Sequence, residues 1–322
     1  MFVNHTNRLS ASAPKGATAE AAVAAVKAPI MAPAVEAGIL PWSLSAPISR
    51  SVVTAAAGGT IDIFGGLSSG GQSAPGIYAL DTTTGRLTHT GDLAVPLHDA
   101  AGATLGNRFL LFGGGSPNTI AAVESISLPQ ATAAQIVGQM PRRRSDGEAI
   151  SLGNAVYVVG GYTGSAMSPA DAAVLVTADG TSFSTVARLP MPVRYPAVAA
   201  LNGLIYVFGG IGAAGRPVSE IQIVNPQKGT ARLAGKMPIP LEGASAAVVG
   251  GRIYLAGGAT TEAAAANAGD SASGGVAASA SHLVTVGTVW SYDDHSSRLE
   301  AAGRLPIPVA NGAAAEIGRA HV

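Results

Sequence analysis

Charge is scarce in this 322-residue chain: 19 basic and 19 acidic residues make up 12% of it. Much of the chemistry the chain could do therefore rests on a few polar residues that sit at related places. Arg50-Ser51, His98-Asp99, Ser145-Asp146, Arg194-Tyr195 and Glu242-Gly243 each stand the same distance ahead of a Gly-Gly pair, and Ala310-Asn311 extends the series. Repeats that agree elsewhere disagree here, and most of the differences are polar or charged. Two readings follow. These are ordinary solvated turns, or Arg50, His98, Asp99, Asp146, Arg194, Tyr195 and Glu242 converge into a small polar pocket. In the second case the arginines would recognise anionic or hydroxyl groups through charge-assisted hydrogen bonds. Because the position accepts several side-chain types, the sequence predicts that Arg194→Ala leaves stability nearly unchanged.

Other chemistries fit poorly. With no cysteine there is no disulfide and no thiolate nucleophile. Gly210-Ile211-Gly212-Ala213-Ala214-Gly215 has the glycine spacing of a dinucleotide loop, but Arg216 to Val224 reads as turn and strand, where that motif needs a helix. The histidines at 5, 89, 98, 282, 295 and 321 show no paired metal-ligand spacing. No metal or cofactor is expected. A neutral chain offers no electrostatic footprint for nucleic acid or an anionic membrane, and no apolar run reaches membrane-spanning length. Arg142-Arg143-Arg144 has Asp146 and Glu148 alongside and reads as a solvated loop.

The elements that position these turns come from an internal repeat. Gly65-Gly66, Gly113-Gly114, Gly160-Gly161, Gly209-Gly210 and Gly257-Gly258 follow one another at steps of 47–49 residues. In the fourth unit a small-residue run, Ala197 to Ala200, leads to the turn Asn202-Gly203. The apolar strand Leu204 to Phe208, the glycine pair, the alternating strand Glu220 to Val224 and a last strand near Ala231 to Ala234 complete it. Four short strands per unit at this period predict an all-β radial array. Small residues suit the crowded inner strand, and an apolar second strand suits a place between neighbouring blades. The glycine pairs are read as structural, permitting positive φ and close approach.

Leu204-Ile205-Tyr206-Val207-Phe208-Gly209-Gly210 and Arg252-Ile253-Tyr254-Leu255-Ala256-Gly257-Gly258 resemble Kelch repeats, and the resemblance spans roughly residues 36–316. It implies a Kelch-like β-propeller over 36–322, with 1–35 as a disordered or short-helical tail (Thr18 to Lys27). The family's usual Tyr and Trp of the last strands are approached only by Trp290-Ser291-Tyr292-Asp293. Six blades are expected. Ala313-Ala314-Ala315 would open the last, which is truncated at the C-terminus, and Glu36 to Leu40 would supply its fourth strand. Residues 259–287, rich in Ala, Ser and Gly, read as a flexible surface loop without a helical stripe. The copper radical oxidases of this fold need a Tyr–Cys crosslink, which a chain without cysteine lacks.

The resemblance implies a non-catalytic binding module, monomeric and exported or envelope-associated as in bacterial relatives. It would hold a glycan or protein segment at the channel mouth. The alternative is a small-sugar isomerase similar to the Kelch-fold sialic-acid epimerase. There Glu242 or His98 would move protons and Arg194 or Arg50 would orient a carboxylate.

Overall fold

Each repeat folds into a four-stranded antiparallel meander, and five meanders follow one another around a channel. The computed structural model describes residues 2–3, 34–164, 170–267 and 282–317. Blade 1 comprises Val52–Ala56, Thr60–Phe64, Ala74–Asp81 and Leu87–Leu97. Blade 2 comprises Ala101–Leu105, Arg108–Phe112, Ala122–Ser127 and Ala134–Gln139. Blade 3 is Ser145–Leu152, Ala155–Tyr162, Ala173–Thr177 and Ser184–Arg188. Blade 4 is Ala197–Leu201, Leu204–Phe208, Val218–Asn225 and Thr230–Leu241. Blade 5 is Ser245–Val249, Arg252–Ala256, Thr288–Asp293 and Arg298–Arg304.

In blades 2, 3 and 4 the second strand is apolar on both faces because both faces meet a neighbour. In blade 2, Phe109 and Leu111 join Phe64 and Ile77 of blade 1, while Leu110 and Phe112 join Val156 and Val158 of blade 3. The rings of Phe64 and Phe109 stack with centroids 4.7 Å apart. Glycine closes this strand for a steric reason. Gly113 and Gly209 sit at φ +65° and +58°, and a Cβ at either would strike the main-chain carbonyl of Arg144 or Leu241.

Three expectations are corrected. Five blades form rather than six: Ala313 to Ala315 run without strand pairing. Of the N-terminal stretch expected to close a sixth blade, only Glu36–Ala37 is strand, and it pairs with Phe2–Val3. The fifth-unit insertion is more than a loop. It opens with the strand Ala259–Thr261, paired to Leu283–Thr285, and the short helix Glu262–Asn267, whose Ala265 is buried. Insertion residues 268–281 and the tail helix expected at 18–27 lie outside the described residues.

Candidate functional site at the channel mouth

Where the chain turns into each inner strand, one residue adopts the left-handed conformation. Arg50, Asp99, Asp146, Tyr195, Gly243 and Asn311 have φ of 56°, 52°, 59°, 49°, 60° and 54°. Each after Arg50 donates its amide to the carbonyl of the one before. Asp99 reaches Arg50 (3.1 Å), Asp146 reaches Asp99 (3.0 Å), Tyr195 reaches Asp146 (2.7 Å), Gly243 reaches Tyr195 (3.0 Å) and Asn311 reaches Gly243 (2.8 Å). A main-chain ladder thus runs along the mouth. It also corrects the sequence alignment. Blade 1 turns its first hairpin through Ala57–Gly59, one residue more than the two-residue turns of the other blades, such as Asn202-Gly203. Arg50 is therefore the counterpart of Asp99 and Tyr195, not of His98 and Arg194. Asp, Asn and Gly tolerate this conformation; Arg50 and Tyr195 hold it at a conformational cost.

The side chains form two linked groups. Arg50 Nη1 donates to Asp99 Oδ2 at 2.9 Å and to the Tyr195 hydroxyl at 3.4 Å, and that hydroxyl donates to Asp99 Oδ2 at 3.3 Å. His98 Nε2 lies 3.8 Å from the same carboxylate oxygen, with its Nδ1 2.8 Å from Ser73 Oγ. Arg194 Nη2 donates to Asp146 Oδ2 in a short ion pair. Its guanidinium lies 4.5 Å from the Tyr162 ring centroid and 5.3 Å from that of Tyr195, within cation–π range. Burial pushes the Asp99 carboxyl up, against the pull of Arg50. Burial lowers the Arg50 and Arg194 guanidiniums, but the facing carboxylates and Tyr195 outweigh it and both rise. Burial also raises Tyr195 and Glu242, the latter partly offset by Arg50 and Arg194.

A cavity of about 70 Å³ opens between the inner strands. Of the expected residues, Arg50, Asp99, Asp146 and Tyr195 line it; His98, Arg194 and the buried Glu242 do not. It is also lined by Glu148, which sequence reasoning passed over as a site residue. The signal was available: the inner strand of blade 3 carries a carboxylate where Ala197 and Ser245 are small and uncharged.

Glu148 is open to channel water yet enclosed by protein, and this enclosure pushes its carboxyl up to about 7. A carboxyl raised in the folded state stabilises fully below its ordinary value of 4.5, and that contribution fades as pH rises through about 7. Chemical unfolding between pH 4.5 and 7 should therefore show stability falling with pH. Glu148→Gln should flatten the fall, though not abolish it, because Asp62, Asp99, Glu124 and Glu242 are raised as well. An unchanged slope would refute the assignment to Glu148.

The Arg142-Arg143-Arg144 loop divides. Arg142 and Arg143 are exposed, whereas Arg144 is 2% exposed, which corrects the solvated reading for that residue. Its Nη2 donates to Asp171 Oδ2 at 2.7 Å and its Nη1 to the carbonyls of Gly160 and Ala173, each at 3.0 Å. Buried polar staples link other blades too. Glu124 accepts from the amides of Ala94 and Val95, and Gln222 bonds both the amide and carbonyl of Met191. Among the described residues, Asp293, Asp294 and His295 cluster closely enough to hold a cation. Asp293 is already engaged, accepting from the amides of His295 and Ser296 and pairing with Arg252.

Five four-stranded meanders about a channel, each closing its second strand with Gly-Gly, define a β-propeller. The family model for the Kelch motif matches residues 192–238, which cover most of blade 4. The protein is a β-propeller that carries a Kelch motif in its fourth blade. No curated protein matches the chain. Among the described residues no helix is long and apolar enough to cross a membrane.

Proposed function

We propose that the protein is a non-catalytic, monomeric binding module that takes a protein segment at its channel mouth, seating a cationic side chain against Glu148. One observation carries this reading. Both mouth arginines are engaged by aspartates, Arg50 by Asp99 and Arg194 by Asp146, while no described residue pairs with the Glu148 carboxylate. Arginines held in this way are poorly placed for the anion recognition suggested by residue type. Glu148 stands in the cavity beside Asp99 and Asp146, each of which already has its arginine, so a positive guest would supply the partner that Glu148 lacks.

Size argues in the same direction. About 70 Å³ suits a side-chain tip, well below the roughly 300–1,000 Å³ of pockets that enclose small molecules. The sugar-isomerase reading draws support from the Glu148 carboxyl near 7, but it needs a sugar ring within reach of that group. A glycan lying across the mouth is the remaining alternative.

The test is a screen of the protein against peptide and glycan arrays, followed by titration of the best binder. A Lys- or Arg-bearing peptide should bind, and Glu148→Gln should weaken it about 10- to 100-fold, the loss of one charge-assisted contact worth about 1.5–3 kcal/mol. Selection of glycans alone, or equal affinity for Glu148→Gln, would overturn the reading.

A further inference from the structure

Five stretches carry the chain from an outer strand to the next mouth turn, and one of them breaks the pattern. Leu93-Ala94-Val95-Pro96-Leu97, Leu189-Pro190-Met191-Pro192-Val193, Met237-Pro238-Ile239-Pro240-Leu241 and Leu305-Pro306-Ile307-Pro308-Val309 all end in apolar, proline, apolar. Met140-Pro141-Arg142-Arg143-Arg144 puts arginine at all three places. The main chain fixes the alignment: the carbonyls of Leu97, Arg144, Val193, Leu241 and Val309 each accept the amide of the second glycine of a pair.

The fold accounts for Arg144 through Asp171, but not for the other two. Val95, Met191 and Ile239, at the place of Arg142, pack into blade seams. Arg142 and Arg143 are exposed instead, and among the described residues neither has a carboxylate partner. The acids close to them in sequence are committed elsewhere. Asp146 holds Arg194, and Glu148 lines the cavity. The Arg144 amide donates to the Ile120 carbonyl at 2.9 Å, so the two exposed arginines stand on a fixed base. Arg143 precedes the cavity-lining Asp146 by three residues, which keeps their α-carbons within about 11 Å. A positive rim thus borders the cavity in which Glu148 stands.

We infer that Arg142 and Arg143 receive acidic residues of the partner segment, roughly three positions from the cationic side chain seated at Glu148. This rests on the Glu148 reading and narrows the partner from a basic residue to a basic residue in an acidic setting. Each surface also rejects what the other attracts. A uniformly basic segment meets repulsion at the rim, and a uniformly acidic one meets it at Glu148, so together they select mixed charge.

Two labelled synthetic peptides test this by fluorescence anisotropy, at a pH above the Glu148 value of about 7. One carries a single lysine among glycines; the other adds glutamates roughly three positions to either side of that lysine. At low salt (about 50 mM) the glutamate peptide should bind about tenfold more tightly, and at about 500 mM the advantage should shrink to within about twofold. Arg142→Gln with Arg143→Gln should bring the two peptides to the same affinity and leave the melting temperature unchanged, since both positions are exposed. Glu148→Gln should weaken both peptides by the same factor. Equal binding of the two peptides to the unaltered protein would overturn this inference and leave the Glu148 reading standing. A glutamate preference that survives the double variant would overturn the assignment to these arginines. Binding that needs the arginines but ignores Glu148→Gln would overturn the Glu148 reading and the mixed-charge partner with it. Failure of both peptides to bind would overturn both.

Discussion

Arg144→Ala is expected to destabilise the protein by about 3–5 kcal/mol, read from the shift of a chemical unfolding curve. The side chain lies in the linker between blades 2 and 3, almost wholly buried, and bonds Asp171 and two blade 3 carbonyls. Its own carbonyl accepts the amide of Gly114, so the residue ties the glycine turn of blade 2 to the second and third strands of blade 3. Burial lowers the Arg144 pKa and Asp171 pulls it back, as for a charge tolerated only because it is matched. Truncation leaves Asp171 charged in a dry place and two carbonyls without a donor. The double variant Arg144→Met with Asp171→Leu should recover most of the loss, since an apolar pair of similar volume carries no such penalty. A loss below about 1 kcal/mol in the single variant would mean that the pair is not buried as described.

Arg194→Ala should cost about 2–3 kcal/mol, less than Arg144 because this guanidinium is partly exposed and its ion pair is screened. The loss has two sources. Asp146 is left without its cation, and the rings of Tyr162 and Tyr195 lose the guanidinium beside them. Arg194 bridges blade 4 to blade 3, which replaces the sequence-based expectation of near-neutrality. Arg194→Lys should recover only part of the loss, because an ammonium lacks the planar fork and stacks less well. Asp146→Asn in the Arg194→Ala background should recover more, by removing the stranded charge. A change within about 0.5 kcal/mol for Arg194→Ala would show that the pair is an ordinary surface contact.

The architecture was legible because its cause is periodic. Glycine pairs recur in every unit, and small inner strands and two-faced apolar second strands in most, and each follows from packing one blade against the next. The turns at the mouth were legible as a set for the same reason. Their roles were not, because role depends on which side chains face each other across blades. Arg50 to Asp99 and Arg194 to Asp146 are contacts between residues 49 and 48 positions apart. One extra residue in the first hairpin was enough to misplace Arg50 by a position. Arg144 was misread because three consecutive arginines look alike in sequence, while only the third meets Asp171. Glu148 was missed because it lies within a strand, beyond the turns where variation was sought.

The main-chain ladder from Arg50 to Asn311 separates the outline of the mouth from the side chains that line it. Its hydrogen bonds use only amides and carbonyls, so the mouth keeps its outline whatever side chains stand on the rungs. Each unit of roughly 48 residues therefore contributes one replaceable letter to a short code written around the opening. The alphabet is constrained by backbone: Asn, Asp and Gly are written easily, whereas Arg50 and Tyr195 are written against preference. On the proposed reading, a change of specificity would be made at the rungs, with Arg50, Asp99 and Tyr195 changed together because their side chains bond one another.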